Sequence, residues 1–146
     1  MEITTRPATA ADMDFARTVH HLAYRDVVTR QFGQWDETLQ DGFFDRGWSP
    51  AKIEILLVDG EPCGYTGIED RPGDVYLREL VIQPEYQGRG IGTTILRQVM
   101  ARAQGRGVPV RMQVLQQNRA QDLYRRVGFR EVGRTETHVL MEWNGI

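Results

Sequence analysis

One cysteine, Cys63, stands in 146 residues, so no disulfide can form within the chain. That fits a reducing compartment. Long apolar runs are missing too: the longest aliphatic stretch is Ile55–Val58, far short of the ~20 residues a membrane helix needs. There is no basic excess, with 18 Lys and Arg against 20 Asp and Glu, so the electrostatic footprint of a nucleic-acid binder is absent. The opening "MEITTRPATAADMD" has an early acid and no apolar core, unlike a secretory leader. Metal-ligating residues are sparse. His20 and His21 are helix neighbours about 100° apart, and His138 is distant, so no metal is expected. No repeat, linker or low-complexity tract interrupts the chain. What is present is ordinary globular material, 40% hydrophobic and 26% charged. A single domain spanning 1–146 is expected, large enough to bury one core, soluble and cytoplasmic, with neither nucleic acid nor membrane as partner.

The pattern predicts the order β-αα-βββ-α-β-α-ββ. Glu2–Arg6 leans toward strand. The next stretch reads as a helix capped by Thr9 or Asp12, with Phe15, Val19, Leu22 and Val27 on one face, and "RQFGQW" breaks it. A second short helix is interrupted by Gly42, and Pro50 closes the region. Asp59-Gly60 and "RPGD" at Arg71–Asp74 are turn signals that divide three antiparallel strands, about 53–58, 62–69 and 74–82. A helix over about 91–105 ends at Gly105 and Gly107. "VPVRMQVL" is a strand. "NRAQDLYRRVGF" is a helix with Asn118 as N-cap and Gly128 past its end, and two strands follow. The helix between the strands ending at Ile82 and starting near Pro109 forms a βαβ crossover. Those two strands should therefore pair in parallel inside an otherwise antiparallel sheet of six or seven strands with four helices, an α/β (α+β) class.

The segment "PEYQGRGIGTTIL", Pro84–Leu96, alternates Gly88, Gly90 and Gly92 with other residues just before a helix. Glycine permits positive φ and close approach to the main chain. A glycine loop opening a helix presents unpaired amides and the positive end of the helix dipole, an anion site. Arg89 adds charge. The P-loop pattern fails for want of Gly-Lys-Ser/Thr, and the dinucleotide fingerprint fails because Thr93 stands where its third glycine belongs. Gln87-x-x-Gly90-x-Gly92 instead resembles the Q/R-x-x-G-x-G/A signature of the GNAT superfamily of acyl-CoA-dependent N-acyltransferases. It lies after "LVIQP" and at a helix start, as in that family. The block "VLQQNRAQDLYRRVGF", with Asn118, Tyr124 and Gly128-Phe129, is similar to a second family block.

The resemblance implies an acetyltransferase using acetyl-CoA, with the GNAT fold. The coenzyme A pyrophosphate would lie on the amides of Gln87, Gly88, Arg89, Gly90, Ile91 and Gly92, with Thr93 beside them. The pantetheine arm would pair with Leu80, Val81 and Ile82 along a strand splayed from its neighbour. A backbone N–H near Leu80 or Val81 would serve the oxyanion. Tyr124 matches the family's general acid for the departing thiolate. Arg125 and Arg126 either help bind phosphate or form a solvated helix end, and Asn118 either contacts cofactor or only caps.

The amine must lose a proton, since with a pKa near 10 only about one molecule in a thousand is neutral at pH 7. Glu79, in the apolar strand "VYLRELVI", is the candidate for proton acceptance through a water or for substrate binding; Arg78 is an alternative partner for its charge. Alternation groups Glu79 with Leu77 and Val81, and Tyr76 with Leu80. Tyr76 stands where some relatives carry a glutamate.

Segment 20–48 holds His20, His21, Tyr24, Phe32, Trp35, Phe43, Phe44 and Trp48 with Asp36, Glu37, Asp41 and Asp45. In the family this region covers the acceptor cleft. Tyr24 and Trp35 are the substrate-binding candidates, suited to a cationic amine. Glu136 and His138 either face the acceptor or decorate a hairpin. The expected partner is a small-molecule or peptide amine, with a homodimer through C-terminal strand edges also open. A non-catalytic acyl-CoA sensor of the same fold is the competing function.

Overall fold

The computed structural model describes residues 1–145. Seven strands and four helices follow the expected order: β1 Ile3–Pro7, α1 Met13–Phe32, α2 Glu37–Gly47, β2 Glu54–Val58, β3 Glu61–Arg71, β4 Asp74–Ile82, α3 Ile91–Arg106, β5 Val110–Leu115, α4 Ala120–Arg126, β6 Arg130–Arg134 and β7 His138–Trp143. Hydrogen-bonded neighbours run β1-β2-β3-β4-β5-β7-β6. The pairs β1–β2, β2–β3, β5–β7 and β6–β7 are antiparallel, and β4–β5 is parallel, as the α3 crossover requires.

The chain divides into two compact units interleaved in sequence. The first holds Met1–Gly67 and Glu79–Arg89. β1 pairs β2 from Ile3↔Val58 to Pro7↔Glu54. The β2–β3 turn places Asp59 at φ 50° and Gly60 at φ 85°, the positive pair that a two-residue hairpin demands. Its core gathers Ala16, Val19, Phe44, Ile53, Ile55, Tyr65 and Val81. Before α1, the Asp12 carboxylate accepts from the Thr9 amide (2.8 Å) and from Arg6 (2.8 and 2.9 Å). A short 3-10 turn, Ala10–Asp12, thus leads into the helix.

One expected helix break occurs and one does not. α1 ends within "RQFGQW", at Gly33, which sits at φ 86° with its amide on the Thr29 carbonyl (2.9 Å). Val27 and Val28 are buried, so packing carries the helix beyond the polar residues. α2 runs through Gly42 unbroken, capped by Asp36 accepting from the Leu39 amide (3.0 Å). One glycine costs only about 1 kcal/mol in a helix, which is too little to break one whose Phe44 is buried.

The second unit holds Ile68–Arg78 and Gly90–Ile146, described to Gly145. Its buried residues include Val75, Leu77, Ile91, Ile95, Leu96, Val99, Val110, Met112, Phe129, Val139 and Met141. α3 passes through Gly105 and ends at Gly107, φ 68°, because only the latter position needs the left-handed region. The β3–β4 turn is closed by Arg71 forked onto Asp74, both contacts 2.7 Å. The parallel pairing registers Val75 with Val110 and Tyr76 with Arg111. Within this unit Leu77 and Arg78 already lie beyond that ladder.

Candidate functional site

The glycine loop is built to hold amides outward. Pro84 starts a single 3-10 turn, Pro84–Tyr86. The Gln87 amide closes it on the Pro84 carbonyl (3.1 Å), and the Gln87 side chain donates to the Ile82 carbonyl (2.9 Å). Gln87 therefore braces the loop to the end of β4, and its amide is not available to a phosphate, contrary to the sequence expectation. Gly88 and Gly90 adopt φ 77° and 83°. A Cβ on either would meet nothing within 4 Å, so the space before them is open. Thr94 returns both its amide and its hydroxyl to the Gly90 carbonyl (3.0 Å each), locking the first turn of α3. From Gly88 through Thr93 no amide has an acceptor on the described protein. Six donors at the positive end of a 16-residue helix fit a pyrophosphate. Arg89 lies over the Tyr86 ring, 5.2 Å from its centre.

The strand carrying Leu80, Val81 and Ile82 is pressed against β3. The Val81 carbonyl comes so near Gly64 that a Cβ there would stand 2.1 Å from its oxygen. The Gln83 amide donates to the Cys63 carbonyl (2.8 Å), and the Thr66 hydroxyl to the Glu79 carbonyl (2.7 Å). The Ile82 carbonyl already accepts one hydrogen bond, from Gln87.

Glu79 is half-buried, on the same side of β4 as buried Leu77 and Val81, as alternation requires. One carboxylate oxygen lies 3.7 Å from the Cβ position of Gly67. Arg78 pairs with Glu69 (2.7 Å). Two tyrosines share the Glu79 environment. Burial, then the Glu79 charge, pushes the Tyr24 hydroxyl up to about 12. The same two causes, with Tyr24 third, push Tyr65 well above its ordinary value. The Tyr65 ring is fully buried in the core and its hydroxyl finds no hydrogen-bond partner. Sequence reading missed Tyr65. The signal available was a large aromatic flanked by small residues in "CGYTG".

Trp35 is less free than expected. Its indole donates to Glu37 (2.5 Å), its face carries Arg25 (5.4 Å), and it packs edge-on against His21 (5.0 Å). Phe44 and Trp48 stack in the core region, while Phe32 and Phe43 are exposed. Donor atoms of His21, Glu37 and Asp41 lie within 4.8 Å of one another. His21 and Asp41 are bonded together, and Glu37 is held by Arg25 and Trp35.

Tyr124 lies in the second unit on α4, buried, 6.1 Å from the Phe129 ring. The Asn118 side-chain oxygen accepts from the Ala120 amide (2.9 Å), the capping role. Arg125 reaches Gln121 (3.3 Å), and Arg126 is exposed. Glu136 and His138 flank the β6–β7 turn. His138 contacts the Thr137 hydroxyl (2.7 Å) and burial lowers its pKa. β7 lies between β5 and β6, so only β6 of that hairpin is an outer strand.

Comparison with known proteins agrees with this geometry. The family model for the acetyltransferase (GNAT) family matches residues 19–129. The chain is 31% identical over 134 residues to a thialysine N-epsilon-acetyltransferase of Bos taurus, covering 82% of this chain and 79% of that one. It is 36% identical over 125 residues to the N-alpha-acetyltransferase RimI of Mycobacterium tuberculosis, covering 73% and 78%. In fold it is similar to a PaiA N-acetyltransferase from Thermoplasma acidophilum, solved with coenzyme A, at TM-score 0.80 and 19% identity over 99% of both chains. No helix among the described residues is long and apolar enough to cross a membrane. The chain belongs to the acetyltransferase (GNAT) family and is an acyl-CoA-dependent N-acetyltransferase that uses acetyl-CoA.

Proposed function

We propose that the acceptor is the primary amine of a small molecule, amino acid or peptide, attacked directly in a ternary complex, and that Glu79 draws it in. The observation behind the cofactor half is the run of unclaimed amides from Gly88 to Thr93. These hold the pyrophosphate, Arg89 adds positive charge, and Leu80 and Val81 present the strand along which the pantetheine arm lies. Acetyl-CoA, when bound, supplies the thioester whose acetyl carbon receives the amine. A backbone N–H near Leu80 or Val81 offers its hydrogen to developing negative charge. Tyr124 donates a proton to the leaving sulfur.

On the acceptor side, burial first and then the charge of the Glu79 carboxylate raise the proton affinity of two tyrosine hydroxyls. The same field attracts an ammonium ion. Tyr24 supplies a half-buried ring for the carbon next to the amine. The thialysine and N-alpha relatives named above both acetylate amines, which supports this choice. The single, buried Cys63 suits a reducing cytoplasm.

Two measurements test the reading. Coenzyme A titrated into the wild-type chain should bind, and Gly90→Asp should lose at least about 10-fold in affinity, because it places a strained, like-charged residue at φ 83°. Thiol release from acetyl-CoA should be followed over thialysine, lysine, free amino acids and an alanyl peptide. Glu79→Gln should raise KM for the preferred amine about 10-fold and leave coenzyme A affinity unchanged. Full affinity in Gly90→Asp, or binding of coenzyme A with no amine turned over, would remove the proposal.

A further inference from the structure

α1 carries two adjacent histidines, and both are bonded. His21 is buried, and its Nε2 lies 2.7 Å from an Asp41 oxygen on α2. Its Nδ1 lies 2.9 Å from the Nδ1 of His20. The His20 ring is half-buried, 4.9 Å from the Tyr24 ring and 5.6 Å from Phe44. The Asp41 side chain is 44% exposed, so the chain of contacts leads from the Tyr24 side out to water.

With His21 neutral, the hydrogen bonds assign the tautomers. A carboxylate only accepts, so His21 Nε2 carries a hydrogen. A neutral His21 then has its lone pair on Nδ1, and His20 must donate from its own Nδ1. That leaves a lone pair on His20 Nε2, which meets no donor among the described residues. The adjacency looked inert in the sequence because helix neighbours diverge; the rings instead lean together at 64° with centres 5.1 Å apart.

We propose that His20, His21 and Asp41 form the proton acceptor for the amine. This rests on the acetyltransferase reading above and leaves Glu79 the task of anchoring the amine. The amine N–H bond breaks, its electron pair stays on nitrogen for attack on the acetyl carbon, and a new N–H forms at His20 Nε2. The hydrogen on His20 Nδ1 passes to His21 Nδ1. Positive charge thereby settles on His21 against the Asp41 carboxylate. When product leaves, the shift reverses and water takes the proton from His20 Nε2. His20 alone is a poor resting place for charge, because burial and His21 hold its pKa at about 4; handing the charge to the pair with a carboxylate removes that difficulty. Beside His20 stands His21 on the same helix; Tyr24 of α1 packs on its ring, Asp41 of α2 bonds to His21, and Glu79 of β4 acts on Tyr24. Arg17 is held by Asp14 and Asp45.

The test begins with nitrogen-15 NMR of histidine-labelled protein. His20 should show hydrogen on Nδ1 and none on Nε2. Asp41→Asn, with its amide facing His21, should invert both rings and put the His20 hydrogen on Nε2. Turnover of the fastest acceptor from the panel above should fall about 10²-fold in Asp41→Asn and in His20→Ala. Coenzyme A affinity should not change, and added imidazole should restore part of the His20→Ala rate. The opposite His20 tautomer in the wild type, or wild-type turnover in His20→Ala, overturns the relay. So does a loss of rate that imidazole leaves untouched. A wild-type chain that fails to bind coenzyme A would instead remove the transferase reading, a separate and recognisable result.

Discussion

Gly64→Ala puts the geometry of β4 under direct test. The added methyl carbon would stand 2.1 Å from the Val81 carbonyl oxygen and 3.1 Å from Ile82 Cα, all main-chain atoms that cannot rotate aside. An ordinary carbon–oxygen contact is about 3.3 Å, so β3 and β4 must part by roughly 1 Å. Two hydrogen bonds flank the contact, Gln83 amide to Cys63 carbonyl at 2.8 Å and Thr66 hydroxyl to Glu79 carbonyl at 2.7 Å. Losing them costs about 1 kcal/mol each, and overpacking adds about 1–3 kcal/mol. The expected loss is therefore about 3–5 kcal/mol, a large part of a typical domain's stability. Urea denaturation measures it. Gly105→Ala is the control: that glycine is in α3 with nothing within 4 Å of its Cβ position, so alanine should stabilise by about 0.5–1 kcal/mol. Coenzyme A affinity should fall in Gly64→Ala, since the displaced strand ends at Ile82, whose carbonyl holds Gln87. A Gly64→Ala protein within about 1 kcal/mol of wild type would refute the close approach and the placement of Val81 with it.

Tyr124→Phe should lower kcat about 10²-fold with coenzyme A affinity unchanged, read by thiol release and calorimetric titration; an unaltered kcat would strip Tyr124 of its role as proton donor. Acid should also weaken the fold through His20. Its pKa is lowered from 6.5 to about 4, first by burial and then by His21. The unfolded chain takes up the proton that the folded chain resists. Above pH 6.5 there is no effect, and stability is lost as pH falls toward about 4, by about 2 kcal/mol once the ring's partial exposure is allowed for. His20→Gln should flatten that part of the stability–pH curve measured by urea titration, and an unchanged slope would show that His20 does not titrate in this way.

The parts of the molecule legible in the sequence are those where one residue type has one physical use. Asp59-Gly60 announced its turn because few residues take two successive positive φ angles. Gly88 and Gly90 announced the loop for the same reason. The parallel β4–β5 pairing followed from the length of the crossover. Helix ends were harder. Gly33 and Gly107 stop helices by left-handed geometry, whereas Gly42 and Gly105 lie within them, and a glycine's letter does not say which φ it adopts. Gln87 was read as part of the phosphate cradle, and only the bond to Ile82 reveals it as a brace.

The proposed acceptor side resisted reading for a different reason. Its groups come from α1, α2, β3 and β4, so Tyr24, Asp41, Tyr65 and Glu79 share no spacing in the chain. Tyr24 could be a core ring and Asp41 a solvated acid, Glu79 needed a partner or a use, and Tyr65 was not singled out at all. What removes the bland reading of Tyr65 is its unpartnered hydroxyl. A buried hydroxyl without a partner costs about 1–3 kcal/mol, and phenylalanine would fill the same volume without that cost. That hydroxyl and the one of Tyr24 both lie in the field of the half-buried Glu79 carboxylate, where an unused donor is at hand for the carboxylate once an amine arrives. On that argument Tyr65→Phe should stabilise the free protein slightly in urea denaturation and raise KM for the amine. An enzyme more stable and equally tight for its acceptor would show that the hydroxyl has no part in positioning Glu79.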